Sequence, residues 1–135
     1  MPPDRAEEVR RWLAKARDDV RAGEVVLAAD PPLVEDALFH AQQAVEKSIK
    51  GFLAWHGRGF RKTHDLREVS GAAIGLDASL EPLLRRAAPL APFAGVFRYP
   101  TDMGVPSLKE AREALALARE VYESLLSRLP AEAQP

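Results

Sequence analysis

The sequence predicts an all-α domain, an antiparallel up-and-down bundle of four to five helices, and three observations predict it. Apolar residues recur at helical spacing along three long segments, and no segment alternates apolar and polar residues as an amphipathic strand would. The prolines fall between those segments, at Pro2-Pro3, Pro31-Pro32, Pro100, Pro106 and Pro130. A residue without an N–H punctuates helices there rather than kinking them. Alanine, leucine, glutamate and arginine dominate, and all four favour helix.

The first helix is expected from Asp4, as N-cap, to about Ala29. Its apolar stripe is Val9, Trp12, Leu13, Ala16, Val20 and Leu27, and Asp30-Pro31-Pro32 ends it. The second runs from about Val34 to Trp55. Leu38, Gln42, Val45, Ile49 and Phe52 follow a 4,3,4,3 spacing on one face, with Phe39, Glu46 and Leu53 as a second stripe beside it. An arc that wide predicts a central helix, ended by Gly57-Arg58-Gly59. Thr63 is the expected cap of a third helix, with Asp65 in its first turn and Leu66 and Val69 facing inward. A short fourth helix spans about Leu80 to Leu90, with Pro82 in its first turn. Pro89 and Pro92 break it, and Phe93 to Pro106 reads as a loop with aromatic anchors. Ser107-Leu108-Lys109-Glu110 is a capping box opening the last helix. Leu108, Ala111, Leu115, Ala118, Val121, Tyr122, Leu125 and Leu129 line one face of that helix. The bundle is expected over residues 1–130, with 131–135 as a disordered tail.

Composition narrows the function classes. The chain has 135 residues, 47% hydrophobic and 29% charged, enough apolar material for one packed core. With no cysteine, thiol nucleophiles, disulfides and thiolate metal sites are excluded together. A formal net charge of −1 gives no global signal for nucleic acid. No apolar run is long enough to span a bilayer, and the charged start Met1 to Trp12 has no apolar signal core, so no membrane association and a cytoplasmic location are expected. No cofactor and no metal are expected. The Glu-x-x-His pairs of di-metal bundles do not occur, and Asp36 with His40, and His64 with Glu68, are isolated pairs. No nucleophile elbow or glycine-rich phosphate loop is present.

Charge is nevertheless uneven. Between His40 and Arg67 lie six basic residues (Lys47, Lys50, Arg58, Arg61, Lys62, Arg67) and two acidic ones (Glu46, Asp65), along with all three histidines. A phosphate ligand suits such a strip; a solvated face balancing acidic neighbours is the equal alternative. On the second helix, His40, Gln43, Lys47 and Lys50 form a polar row expected on the side away from the Leu38–Phe52 stripe, where it would cradle an anion or face a partner. Gln42 sits inside the apolar stripe and is read as a hydrogen-bonded core amide that sets register. Arg98-Tyr99 pairs a guanidinium with a ring, suited either to a phosphate or carboxylate or to stapling a loop.

The runs Phe39-His40-Ala41-Gln42-Gln43-Ala44-Val45-Glu46-Lys47 and Lys62-Thr63-His64-Asp65-Leu66, followed by Arg98-Tyr99-Pro100, resemble the HEPN domain family. The opening Trp12 to Ala16 with Asp18 and Asp19, and the alanine-rich last helix, match it as well. The resemblance implies a bundle of four or five helices that is commonly a homodimer, association with a minimal nucleotidyltransferase partner, in some cases as a toxin–antitoxin pair, and binding of a nucleotide or other phosphate ligand. In that reading Gln43, Lys47, His64, Arg98 and Tyr99 line the site, with Lys47 and Arg98 meeting phosphate. Some members of the family are metal-independent ribonucleases using an Arg-x(4-6)-His motif; Arg98 resembles its arginine, but residues 99–106 contain no histidine. Arg58 and His64 have the motif's spacing but lie after the second helix. A non-catalytic binding module is therefore expected, with a ribonuclease and a purely structural adaptor as the alternatives; RNA is not the favoured ligand.

Overall fold

The computed structural model describes residues 3–60, 65–97, 100 and 104–135, and among them there are helices and no strand. Three long helices, α1 (Pro3–Ala28), α2 (Val34–Trp55) and α5 (Leu108–Ser127), carry the core. Two shorter ones, α3 (Leu66–Leu76) and α4 (Glu81–Ala87), are continued by 3-10 segments at Ala78–Leu80 and Ala88–Ala94. Helix α2 is central: it packs against α1, α3, α5 and the 88–94 segment. Its wide apolar arc forces this, because Leu38, Val45, Ile49, Phe52 and Leu53 are all buried and need partners on several sides.

Helix α1 runs antiparallel to α2, since Asp19 meets His40 and Lys47 while Leu13 lies against Gly51 farther along. It is antiparallel to α5 by the same test, Glu24 pairing with Arg119 and Arg10 with the Glu132 carbonyl. The α1–α2 contact is close at Gly51, where a Cβ would overlap the side chain of Leu13 and sit 3.2 Å from the Trp12 Cβ. Interior glycine costs α2 helix propensity, and it is tolerated here because it lets α1 approach.

The helix ends show which local signals act. Helix α2 stops at Gly57, whose φ of 65° is the left-handed conformation open to glycine. The Arg58 N–H reaches the Leu53 carbonyl at 2.9 Å and the Gly57 N–H reaches the Ala54 carbonyl at 3.0 Å, the paired bonds of a Schellman motif. The Ser107 Oγ accepts the Glu110 N–H at 3.0 Å, so the serine of the capping box acts as expected.

Four boundaries differ from the sequence expectation. Asp4 lies in the first turn of α1 and not at its N-cap. Helix α3 is capped by Asp65, whose Oδ1 accepts the Arg67 N–H at 3.0 Å; Thr63, the expected cap, lies outside the described residues. Pro89 and Pro92 do not end helical structure but convert it to 3-10 geometry, so Phe93 and Ala94 belong to a helical segment rather than a loop. Residues after Pro130 form a 3-10 turn at Ala131–Ala133 instead of a disordered tail. Ala133 is fully buried, and the Gln134 amide donates to the Leu126 and Leu129 carbonyls at 3.1 Å each, so the last residues pack against the end of α5 and cap it.

Asp77 joins three elements. Its carboxylate accepts from the Ser79 N–H at 3.0 Å and the Ser79 hydroxyl at 2.6 Å, and from Arg128 Nε at 2.9 Å. The Ser79 hydroxyl and then Arg128 hold its pKa below the ordinary carboxylate value. A carboxyl with a lower pKa folded than unfolded adds stability that is present above its unfolded pKa and lost as pH falls through its folded pKa. Asp77→Asn is accordingly expected to lower stability at neutral pH. It is also expected to flatten part of the decline on acidification, as read by urea midpoints measured from pH 7 down to pH 3.

Candidate functional site

Two polar assemblies occupy α2, and neither is the solvated row expected from the sequence. In the first, Asp19 of α1 accepts from Lys47 Nζ at 2.6 Å and lies 2.9 Å from His40 Nδ1. The Lys47 side chain is 23% exposed, so its charge is largely balanced by an internal partner. In the second, Gln43 Nε2 donates to Gln42 Oε1 at 2.7 Å, Gln42 Nε2 donates to Glu46 Oε1 at 3.2 Å, and Lys50 Nζ meets Glu46 Oε2 at 3.1 Å. Gln42 is inaccessible, Glu46 is 2% exposed and Lys50 6%. The Lys50 ammonium also lies over the rings of Trp12 and Phe60, at 5.6 and 5.5 Å from their centroids.

This arrangement corrects the expectation for the polar row. His40, Gln43, Lys47 and Lys50 do not share one open face: Asp19 and Trp12 of α1 lie against His40, Lys47 and Lys50, and Gln43 turns to Gln42 and is 8% exposed. Burial is affordable because the charges are matched and the amides hydrogen-bonded; no buried side-chain polar atom lacks a partner among the described residues. Gln42 is, as read from the sequence, a hydrogen-bonded core amide. The basic strip is thereby reduced, since Lys47 and Lys50 each face a carboxylate.

The open feature beside these assemblies is a groove of about 490 Å³ between the start of α2 and the 93–97 segment. It is lined by Glu35, Asp36, Phe39, Gln43, Phe93, Ala94, Gly95 and Phe97. Phe93 and Phe97 stack nearly parallel, 12° between planes and 5.6 Å between centroids. Phe39, expected to fall on an interior stripe, is 37% exposed at this groove. Glu35 and Asp36 occupy the first turn of α2, where the helix dipole favours carboxylates. Of the site residues expected from the sequence, Gln43 lines the groove, Lys47 lies one turn along α2 on Asp19, and His64, Arg98 and Tyr99 lie outside the described residues. Sequence reading did not find the groove itself. Its available signal was the i,i+4 pairing of Phe93 with Phe97 in a proline-rich segment, a pattern equally suited to a core staple.

The HEPN domain family model matches residues 9–129, which is most of the chain. This chain belongs to the HEPN family. No curated protein and no solved structure matches it. The all-α fold agrees with membership, and among the described residues no helix is long and apolar enough to cross a membrane. Among the described residues, no group of three or more potential metal ligands occurs.

Proposed function

We propose that this HEPN domain is a non-catalytic module that binds a nucleotide through the groove between α2 and the 93–97 segment. It would act as a homodimer alongside a minimal nucleotidyltransferase partner, as one half of a toxin–antitoxin pair. The observation that carries the ligand reading is the groove's lining. It combines three phenylalanines with a small set of polar groups in a volume inside the range of roughly 300–1,000 Å³ typical of small-ligand sites. The phenylalanines suit a planar base. Arg98 and Tyr99 follow Phe97 directly in the chain, and a guanidinium at that position suits the phosphates. Gln43 contributes from α2. Lys47 and His64 complete the proposed set, with Lys47 the weaker contributor because Asp19 already holds its ammonium. The homodimer and the nucleotidyltransferase partner rest on family membership. A ribonuclease reading has less support, since residues 99–106 contain no histidine to act as general acid or base.

Titration calorimetry with ATP tests the proposal. Saturable binding is expected, abolished by Arg98→Ala and by Phe93→Ala and weakened only modestly by Lys47→Ala, in variants whose circular dichroism matches the parent. A folded protein that gives no heat with any nucleotide would exclude ligand binding at this groove and leave partner recognition as the function.

A further inference from the structure

The cluster of Asp19, His40 and Lys47 holds one group that the nucleotide reading leaves unused, the second ring nitrogen of His40. A carboxylate only accepts, so the 2.9 Å contact between Asp19 Oδ1 and His40 Nδ1 requires the proton on Nδ1. The neutral ring then carries its lone pair on Nε2. Among the described residues nothing bonds to Nε2, and no buried side-chain nitrogen or oxygen lacks a partner, so Nε2 opens to solvent. The ring is also held in place. The Phe39 ring stands edge-on to it at 5.4 Å between centroids, and α1 approaches closely enough that a Cβ on Gly23 would lie 3.4 Å from the His40 Cβ. Lys47 Nζ, 2.6 Å from the other Asp19 oxygen, brings positive charge to the same carboxylate. This is the geometry of an oriented nucleophile. The lone pair faces out, the proton is anchored, and a carboxylate is placed to stabilise the charge the ring gains when Nε2 forms a bond. Two other uses of such a ring find less support. Among the described residues no group of three potential metal ligands occurs, and no hydroxyl bonds to Nε2 as the partner of a general base would.

We propose that His40 is a phosphoryl acceptor, modified at Nε2 by a small donor of the acyl-phosphate or phosphoramidate class. The Nε2 lone pair attacks phosphorus and the N–P bond forms. The bond from phosphorus to the leaving group breaks, and its electron pair departs with that group, as acetate from acetyl phosphate or as ammonia from zwitterionic phosphoramidate. Nδ1 keeps its proton throughout, so no proton has to leave the ring for the new bond to form. The positive charge gained by the ring rests on Asp19. Asp19 is a positioning residue here: it fixes the tautomer and the ring without touching the donor. The inference does not depend on the nucleotide reading of the groove.

Incubation of the folded full chain with phosphoramidate is the test, with the label located by tandem mass spectrometry and its ring position read by phosphorus NMR, both without acid. His56 is the internal comparison: it is exposed, its ring packs on Phe52, and among the described residues no carboxylate holds it. The His40 side chain is only 26% exposed, so access alone favours His56. His40 is nevertheless expected to be labelled about 10-fold or more faster, the scale on which a carboxylate partner tunes a histidine, and on Nε2. His40→Gln is expected to remove that label and keep the slower one on His56. Asp19→Asn, in a variant whose circular dichroism matches the parent, is expected to bring the His40 rate down to that of His56. No label on His40, labelling of His56 at an equal or greater rate, or a phosphoryl group on His40 Nδ1 overturns the inference. All three are read on the parent protein, so none depends on a variant that folds. An unchanged His40 rate in folded Asp19→Asn overturns it as well.

Discussion

Replacing Glu46 with alanine is expected to lower the unfolding free energy by about 3 kcal/mol or more, the scale for breaking one side of a buried charged pair. The carboxylate is 2% exposed and serves two donors at once, Gln42 Nε2 and Lys50 Nζ, both buried. Alanine deprives each of that acceptor in a place where water does not readily replace it. Glu46→Gln keeps the volume and one acceptor, so a smaller loss is expected. Lys50→Met together with Glu46→Leu removes donor and acceptor as a unit and is expected to cost less than the sum of the single changes, with a coupling energy of about 1–3 kcal/mol. Urea unfolding of Glu46→Ala, Glu46→Gln, the double variant and its two single changes measures this directly. A loss below about 1 kcal/mol for Glu46→Ala would show that the pair contributes nothing beyond filling space.

Gly51→Val is expected to destabilise by about 3 kcal/mol, at the upper end of the usual cost of overpacking a core. The first added carbon already overlaps the fully buried Leu13 side chain, and it crowds the Trp12 Cβ at 3.2 Å. Relief requires α1 to move away from α2, which disturbs the Asp19 pairs with His40 and Lys47 about two turns along. Gly51→Ala is expected to cost less, since up to about 1 kcal/mol of helix propensity is recovered. Leu13→Ala alone leaves a cavity, but combined with Gly51→Val it is expected to be less damaging than the two costs added, because the valine occupies vacated volume. Thermal or urea unfolding reads all four proteins. Additive losses would mean that the two positions do not share space and that the close approach at Gly51 does not set the helix spacing.

The sequence by itself determined the helical class, the three long helices and the centrality of α2. These follow from periodicity and punctuation, which are local properties: the bounds expected for α2 from the Leu38–Phe52 spacing and Gly57 are those observed. The Ser107 cap and the reading of Gln42 as a bonded core amide were legible for the same reason. Motif order carried the family, which the match over residues 9–129 then showed. What only the tertiary structure decided is the environment of the polar residues. Spacing places His40, Gln43, Lys47 and Lys50 on one side of α2, but it does not say whether solvent or another helix covers that side. Asp19, more than twenty residues away in sequence, is what turns Lys47 from a free cation into an internal partner, and glycine at 51 is what lets α1 come close enough to do so. The groove is likewise a relation between separate segments. Phe39 reads as a core residue in its own helix and becomes a groove wall only when Phe93 and Phe97 are brought beside it. Local sequence sets which way a side chain points from its helix, whereas burial, charge balance and site formation depend on what the rest of the chain places opposite it.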